Sequence, residues 1–257
     1  MTDLTLNVVA DAAERAAPGC ALCSVGSLCI ATGLSIDQRK QLAGVTAPRL
    51  KVRKGQALFH AGDDMEHLYA IRRGSFKTTL VSADGRAQIT GFWMSGDVMG
   101  LEAISGNRHM CTALAIEDSE VCPLVFSHIE RLARHIPALQ HRLSCMLSQE
   151  IAREYRLRLC MGTLSADERL AAFLLELSQR NVARGYSARG FVLRMTREDI
   201  ACYLGLRLET VCRAIARLRQ VGILSCRARV IDLLDLAALE RFVADGCHKA
   251  ERHACAV

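Results

Sequence analysis

Short apolar runs separated by turn residues fill residues 51–126 of the chain. Each run ends at a glycine- or aspartate-containing turn, such as Asp84-Gly85. Runs of this length and spacing predict β-strands joined by tight turns. We therefore predict a small all-β barrel or roll in this part of the chain. The apolar runs are 57–59, 68–71, 76–81 and 89–93.

From about residue 128 to residue 160 the apolar spacing becomes that of a long helix, in which residues at intervals of four and three share one face. Pro137 lies near the start, where a helix tolerates proline. A narrow apolar seam is typical of a core helix or of a dimerisation helix. We predict a weak dimer interface, because acidic residues continue near the seam. The predicted dimer contacts are Leu139, Leu143, Met146, Glu150 and Glu154.

Two capped helices and a tight turn follow. Ser165 and Glu168 form a capping box that opens a helix over 169–179. Thr196 is the expected N-cap of another helix, and Gly205 permits the positive φ of a tight turn before a second helix that starts near Leu208. Residues 227–236 are typical of a wing of two strands. A helix, a short glycine-containing turn and a second helix indicate a helix-turn-helix. The apolar positions of its two helices are Ile200, Ala201, Leu204, Val211, Ile215 and Leu218.

Positive charge is concentrated in the same segment. Residues 190–230 hold eight arginines against three acidic residues, and such a surface attracts phosphates. Arg213 can donate two hydrogen bonds to guanine, and Glu209 can accept one from cytosine. The alternative is an ordinary helical hairpin in which Glu209 and Arg213 form an ion pair. We predict DNA contacts from Glu209, Cys212, Arg213 and Arg217, the last to phosphate.

These residues resemble a known family. The segment from Thr196 to Leu224 resembles the helix-turn-helix of the CRP–FNR superfamily of transcription regulators. Within it, Glu209-Thr-Val-Cys212-Arg213 is similar to the E-x-x-S-R recognition helix of the FNR branch (fumarate and nitrate reduction regulator). The resemblance implies an α+β fold: a cyclic-nucleotide-binding-like β-roll, a long dimerisation helix and a C-terminal winged helix-turn-helix. It also implies a homodimer on inverted TTGAT-like repeats, and contact with RNA polymerase. Cys212 stands where that motif has serine, and a thiol is the weaker donor.

The chain holds 12 cysteines, and three of them, Cys20, Cys23 and Cys29, have the spacing C-x2-C-x5-C. In a cytosolic chain such a group indicates metal binding rather than disulfides. Thiolates bind zinc or iron–sulfur clusters, and the spacing by itself leaves both open. It also leaves the fourth ligand unassigned.

The resemblance to FNR-type regulators extends from Cys20 to about residue 240 and implies the missing ligand. It implies a [4Fe–4S] cluster on Cys20, Cys23, Cys29 and Cys122, with Cys111 as the local competitor of Cys122. It further implies that the cluster promotes dimerisation and DNA binding without oxygen, and that oxygen destroys it. The cysteines of the long helix, Cys145 and Cys160, are less suitable fourth ligands.

Three other classes of protein match the sequence less well. A cyclic-nucleotide sensor of the same fold would carry a phosphate cassette, which Gly100-Leu-Glu102 and Arg108 only loosely match. A haem or thiol-redox sensor would use axial ligands such as Met94 or a histidine. The chain shows no P-loop, H-E-x-x-H, dinucleotide fingerprint or catalytic triad order, so we expect no enzyme. The candidate histidines are His60, His67 and His109.

The patterns divide the chain into five segments. With 51% hydrophobic and 23% charged residues, no apolar run of membrane-spanning length and no secretory signal, we expect a cytoplasmic protein that does not enter the membrane. The predicted segments are a cysteine-rich segment 1–40, a β-roll 41–127, a dimerisation helix 128–162, a DNA-binding domain 163–245 and a disordered tail 246–257.

Overall fold

The computed structural model describes Cys20 and residues 23–254. Residues 1–19 of the predicted cysteine-rich segment and the last three residues of the predicted tail lie outside the described residues. The helices are α1 Ile36–Ala43, α2 Phe126–His135, α3 Pro137–Thr163, α4 Ala166–Ala183, α5 Arg197–Leu204, α6 Leu208–Gln220 and α7 Leu236–Ala254. The strands are β1 Leu50–Val52, β2 Ala57–Phe59, β3 His67–Arg73, β4 Ser75–Val81, β5 Ala87–Met94, β6 Val98–Met99, β7 Thr112–Ala115, β8 Ser119–Val125, β9 Gly190–Val192, β10 Leu224–Arg227 and β11 Val230–Leu233.

Strands β1–β8 form the predicted β-roll. They build two antiparallel four-stranded sheets, β1-β8-β3-β6 and β2-β7-β4-β5. The two sheets enclose a core that includes Ile71, Phe76 and Val121, all fully buried. Gly74 makes the tight turn from β3 to β4 with a φ of 90°, and a Cβ there would lie 2.1 Å from Ser119 Oγ. A side chain at position 74 is therefore excluded both by the backbone angle and by β8.

Two helices follow the roll, where the apolar spacing predicted one. Ile136 adopts an extended backbone between α2 and α3, and Pro137 is the first residue of α3. Proline disfavours helical geometry in the residue before it and lacks the N–H that would continue the first helix. The prediction of a single helix over 128–160 was therefore wrong in its first quarter.

Two residues of the predicted dimer seam lie on the buried face of α3. Leu139 is 0% exposed and Met146 is 8% exposed, and both pack in a core shared with α2, the roll and the N-terminal loop. Both side chains therefore pack within the chain rather than on the exposed surface of α3. Intervals of four and three identify an apolar face but not its partner. The large apolar side chains that α3 exposes lie on another face: Leu147, Ile151, Tyr155 and Leu159.

Residues 164–246 form a winged helical head. Ser165 and Thr196 each complete a capping box, and Gly205 ends α5 with a φ of 63°, as the sequence predicts. The first of these helices extends beyond the predicted 169–179 at both ends. The wing strands β10 and β11 pair with each other, and β11 also pairs with β9.

The chain after Gly246 differs from the sequence prediction. A disordered tail was expected from residue 246, but the backbone of α7 remains helical to Ala254. Asp235 accepts a hydrogen bond from the Ala238 N–H at the start of α7, and Gly246 packs so closely on α4 that a Cβ there would lie 2.5 Å from Glu168 Cδ. Packing against α4, which a polar sequence does not reveal, supports the helix.

The roll and the head share a core. Ile89 and Phe92 of β5 belong to the same buried cluster as the helices of the head. The rings of Phe92, Phe173 and Tyr203 lie 5.2–5.9 Å apart in tilted pairs. Because burial of such rings contributes strongly to an interface, the two parts form a single packed unit.

Candidate metal centre and DNA-reading helix

Four thiols converge between the N-terminal loop and β8. Cys20, Cys23 and Cys29 lie on the loop before α1, and Cys122 lies on β8, opposite Ala70 of β3. All four line one pocket, whose cavity has a volume of about 20 Å³. The remaining lining is largely apolar and includes Ile30, Ala70, Ile71 and Leu124, with Arg72 at one side.

The structure separates Cys111 from this group. Cys111 is buried in the core of the roll, with its Sγ 3.7 Å from Glu102 Oε1. Burial and the adjacent Glu102 raise its pKa to about 12. Cys145 lies on α3, where its Sγ is 3.4 Å from His141 Nε2. Of the fourth-ligand candidates that the sequence left open, Cys122 is the one that lines the pocket of the three loop cysteines.

Burial and neighbouring thiols disfavour ionisation of Cys20, Cys29 and Cys122. Burial raises the pKa of Cys20 to about 11, and Cys29, Cys122 and Cys23 each add to the rise. Burial likewise raises the pKa of Cys29 and of Cys122. Thiolates in an apolar pocket repel one another. A cationic group between them would relieve that repulsion, so the donor set is chemically suited to a metal centre.

The spacing of the donors is wider than a single ion requires. Within residues 20 and 23–254, no three His, Cys, Asp or Glu side chains are close enough to hold one metal ion. Two sulfurs that share a zinc at about 2.3 Å can be no more than about 4.6 Å apart. A four-iron cluster takes one thiolate per iron and spreads its ligands further. The cavity between the four thiols has a volume of about 20 Å³, which is room for roughly one water.

A buried donor without a partner lies beside the thiols. Arg72 donates from Nη1 to Glu120 Oε2 at 2.8 Å, while its Nε is buried and has no hydrogen-bond partner. Burial opposes ionisation of Arg72, but Glu120 together with Cys23 and Cys122 raises its pKa. An unsatisfied buried N–H is costly, and a sulfur-containing group in the pocket would offer it acceptors. The residues present therefore fit an iron–sulfur cluster.

The cysteine loop is attached to two other elements. Arg142 of α3 donates to the carbonyl oxygens of Leu28 at 2.9 Å and of Cys29 at 3.2 Å. Leu28 also covers Gly96 in the turn after β5, where an added Cβ would lie 2.7 Å from Leu28 Cβ. The adjacent Asp97 binds Arg180 of α4 and Arg184, the residue that follows α4, each at 2.6 Å. The loop thus contacts both α3 and the turn that holds the head.

The second helix of the helix-turn-helix presents the predicted outer face. Val211, Ile215 and Leu218 of α6 are buried in the head, as predicted. On the opposite face Arg213 Nη2 lies 3.2 Å from Glu209 Oε2, with both side chains largely exposed. This exposed pair is available to base edges. The exposed polar face and the buried apolar face are those that a recognition helix needs.

Two of the predicted DNA-contacting residues have partners within the chain. Arg217 forms a bidentate ion pair with Asp167 of α4. Cys212 Sγ lies 3.6 Å from Arg197 Nη1. The sequence did not single out Arg197, Arg142 or Arg72, whose partners are between 15 and 114 residues away along the chain. No local pattern could have found them.

The interior of the roll near the loosely matched phosphate cassette is filled by side chains. His109 is almost fully buried and stacks on Phe59 at 3.7 Å, and it lies 3.1 Å from Glu102. Arg108 is exposed and pairs with Asp64 at 3.4 Å. The residues that would have to hold a nucleotide phosphate therefore engage other groups.

Among the described helices, none is both long enough and apolar enough to cross a membrane.

Comparison with known proteins identifies relatives over most of the chain. A model of the cyclic nucleotide-binding domain matches residues 49–135, and a model of the Crp-like helix-turn-helix domain matches residues 168–242. The transcriptional regulatory protein btr of Bordetella pertussis is 38% identical over 224 residues, which cover 87% of this chain and 93% of that protein. The fumarate and nitrate reduction regulatory protein of Yersinia pestis is 40% identical over 220 residues, covering 86% and 88%. The structure of FixK2 from Bradyrhizobium japonicum superposes with a TM-score of 0.71 at 34% identity, covering 77% of this chain and 97% of that one.

Proposed function

The chain belongs to the FNR branch of the CRP–FNR superfamily of transcription regulators, and we propose that it senses oxygen through a [4Fe–4S] cluster. Cys20, Cys23, Cys29 and Cys122 would hold the cluster. The observation that supports this is the meeting of these four thiols, from the loop and from β8, in one apolar pocket. When bound, the cluster supplies an oxygen-labile link between the loop and the roll.

The loop contacts two elements outside the pocket, α3 and the turn after β5. Arg142 ties the loop carbonyls to α3, and Leu28 rests on Gly96 beside the Asp97 that binds the head. A cluster bound by the four thiols would tie the loop to β8 and so restrain the loop that makes both contacts. Release of the loop would remove these contacts and shift the equilibrium between dimer and monomer. A change of a few kcal/mol is enough to reverse such an equilibrium.

The dimer interface lies on the exposed face of α3. Leu147, Ile151, Tyr155 and Leu159 are spaced four residues apart and are 38–64% exposed. Leu143 is half-buried at the edge of this face, together with Glu150 and Glu154. Arg153 neutralises Glu150 at 2.8 Å. Apolar contact with acidic residues nearby gives a marginal homodimer, which is the property that an oxygen-dependent switch needs.

The homodimer reads an inverted repeat of TTGAT-like half-sites. Arg213 and Glu209 contact base edges in the major groove, and Cys212 borders this pair on the side of Glu209. Arg217 reaches a phosphate once it leaves Asp167. A second copy related by a two-fold axis reads the other half-site. As a regulator of this kind, the protein would act on DNA in the cytoplasm and contact RNA polymerase there.

The experiment is purification under strict anoxia with iron, sulfide and absorption measurements. We expect about four irons and four sulfides per chain, a broad visible absorption, a dimer in sedimentation and tight binding to a TTGAT inverted-repeat duplex. Exposure to air should bleach the absorption, yield monomer and release the duplex. Iron-free protein that binds the duplex equally well in air and under anoxia would refute the proposal.

A pair of matched variants tests the fourth ligand. Cys122→Ser should prevent cluster incorporation, because the pocket then has only three thiols. Cys111→Ser should retain the iron and sulfide content, since Cys111 lies in the core of the roll. Loss of the cluster in Cys111→Ser with retention in Cys122→Ser would reverse the assignment.

A further inference from the structure

Two cysteines of the head share one guanidinium group. Arg197 Nη1 lies 3.6 Å from Cys212 Sγ, and Arg197 Nη2 lies 3.9 Å from Cys226 Sγ. Cys212 is in the middle of α6, and Cys226 is on the wing strand β10. Because the two nitrogens belong to one planar group, both sulfurs lie within 4 Å of the same guanidinium group. Neither cysteine belongs to the four-thiol pocket.

Both thiols of this pair are accessible from solvent. Cys212 and Cys226 are both partly exposed, so a small oxidant can reach them. The thiolate form of a cysteine is the nucleophile in such reactions. Arg197 is itself exposed at the first position of α5 and can swing into solvent. The Cys226 side chain packs partly against the core of the head, and its thiol contacts Arg197 and, at 3.7 Å, the carbonyl of Ala228 at the wing tip.

We infer that Cys212 and Cys226 form a second thiol-oxidation site, on the DNA-reading head itself, which a peroxide converts to a disulfide. The thiolate of one cysteine attacks a peroxide oxygen, so that an S–O bond forms, the O–O bond breaks and hydroxide leaves. The sulfur is oxidised by two electrons to a sulfenic acid, and the peroxide is reduced. The second thiol then attacks that sulfur, an S–S bond forms and water leaves. Overall, two thiols and one hydrogen peroxide give one disulfide and two waters.

The disulfide would interfere directly with DNA reading. It ties the wing to α6 and removes the Cys212 thiol from the face that carries Glu209 and Arg213. It also displaces Arg197 from its place between the sulfurs. A recognition helix must hold its side chains in register with the base pairs. The oxidised head should therefore bind the operator at least ten times more weakly, whatever the state of the N-terminal pocket.

The first measurement maps the bond in the full chain. Reduced, cluster-free protein is treated with hydrogen peroxide, remaining thiols are blocked with N-ethylmaleimide, and the digest is analysed by mass spectrometry. We expect a peptide pair joined through Cys212 and Cys226. Cys226→Ser should abolish it, and the control Cys145→Ser should leave it unchanged, since Cys145 is also partly exposed but lies beside His141. The same bond should form in Cys23→Ser, which lacks a pocket thiol, so its formation is independent of the proposed cluster.

The second measurement follows DNA binding. Cluster-loaded protein under anoxia is treated with the thiol oxidant diamide, and its affinity for a TTGAT duplex is measured by anisotropy while the visible absorption monitors the cluster. We expect a loss of affinity that dithiothreitol reverses in the parent chain and that Cys226→Ser resists. Absence of the linked peptide, or equal losses of affinity in parent and Cys226→Ser, overturns the inference. If the chain proves to carry no cluster, the mapping measurement still decides.

Discussion

At the scale of single residues, exposure and available partners separate the candidate DNA contacts. Arg213 and Glu209 are exposed and pair only with each other, so exchange of that weak contact for base edges costs little. Arg217 must first break its bidentate ion pair with Asp167 before it can contact DNA. Base discrimination therefore rests mainly on Arg213 and Glu209, and Arg217 supports binding through phosphate.

Replacement of Arg213 tests this reading at one side chain. Arg213→Ala should weaken operator binding by about 1–3 kcal/mol, or roughly 5- to 150-fold, and relax the preference for one base pair. Fluorescence anisotropy with matched and mismatched duplexes measures both effects. Arg86→Ala, which removes an equal charge from an exposed turn of the roll, is the control. Equal losses in the two variants would show that Arg213 contributes charge alone.

At the scale of elements, the two faces of α3 differ in burial. One face holds Leu139 in the core of the chain, and the other exposes Ile151 and its neighbours. Of the predicted seam, Leu139 and Met146 lie on the buried face, whereas Leu143, Glu150 and Glu154 lie at the edge of the exposed face. Arg142, on the same helix, links α3 to the loop that bears the cysteines.

Paired substitutions separate the faces of α3. Ile151→Glu should yield a monomer under anoxia with little change in unfolding free energy, because it places like charges opposite each other in the dimer. Leu139→Ala should lower the free energy of unfolding by about 2–5 kcal/mol by leaving a cavity. Sedimentation and urea denaturation of both variants distinguish the effects. Dimeric Ile151→Glu protein would place the interface elsewhere.

Loss of the link between α3 and the loop should loosen the cluster site. Arg142→Gln removes charge-assisted hydrogen bonds worth about 1.5–3 kcal/mol each before compensation, so the cysteine loop opens more readily. We expect the visible absorption to bleach several times faster in air and the anaerobic dimer to weaken. Arg134→Gln, an exposed arginine of α2, should behave like the parent chain. Unchanged bleaching in Arg142→Gln would mean that α3 does not restrain the loop.

At the scale of the whole molecule, a mostly buried ion-pair cluster joins the roll to the head. Asp97 accepts from Arg180 and Arg184 at 2.6 Å and from the Met94 N–H at 2.8 Å. Burial opposes its ionisation, but these partners outweigh burial and hold the pKa of Asp97 below its usual value. Lys77 and Asp199 form a second bridge at 2.6 Å. The head is therefore fixed to the sensor domain by charge as well as by the shared aromatic core.

The pH dependence of stability tests this joint. Because the folded pKa of Asp97 is lowered, its contribution is present above the unfolded pKa of about 3.9 and is lost as pH falls through the folded value. Asp97→Asn should cost on the order of 3 kcal/mol at neutral pH, since two arginines lose their partner. Urea denaturation from about pH 2 to pH 7 should show a smaller acid-dependent loss in Asp97→Asn than in the parent. An unchanged pH profile would place the acid sensitivity in other carboxylates.

The sequence by itself determined the elements whose causes are local. Turn glycines and short apolar runs predicted the roll, and Ser165, Thr196 and Gly205 predicted the caps and the turn of the helix-turn-helix, because capping and positive φ depend on one or two residues. The spacing of Cys20, Cys23 and Cys29 indicated a metal site. Resemblance to FNR-type regulators indicated Cys122 as the fourth thiol.

Only the tertiary structure decided which faces and partners meet. It placed Cys122 rather than Cys111 in the pocket, buried Leu139 and Met146, split the long helix at Pro137 and continued α7 beyond Gly246. It also brought Arg142 to the cysteine loop and Arg197 to two thiols. These features depend on contacts between residues far apart in the chain, and local spacing carries no information about which distant surface a side chain will meet.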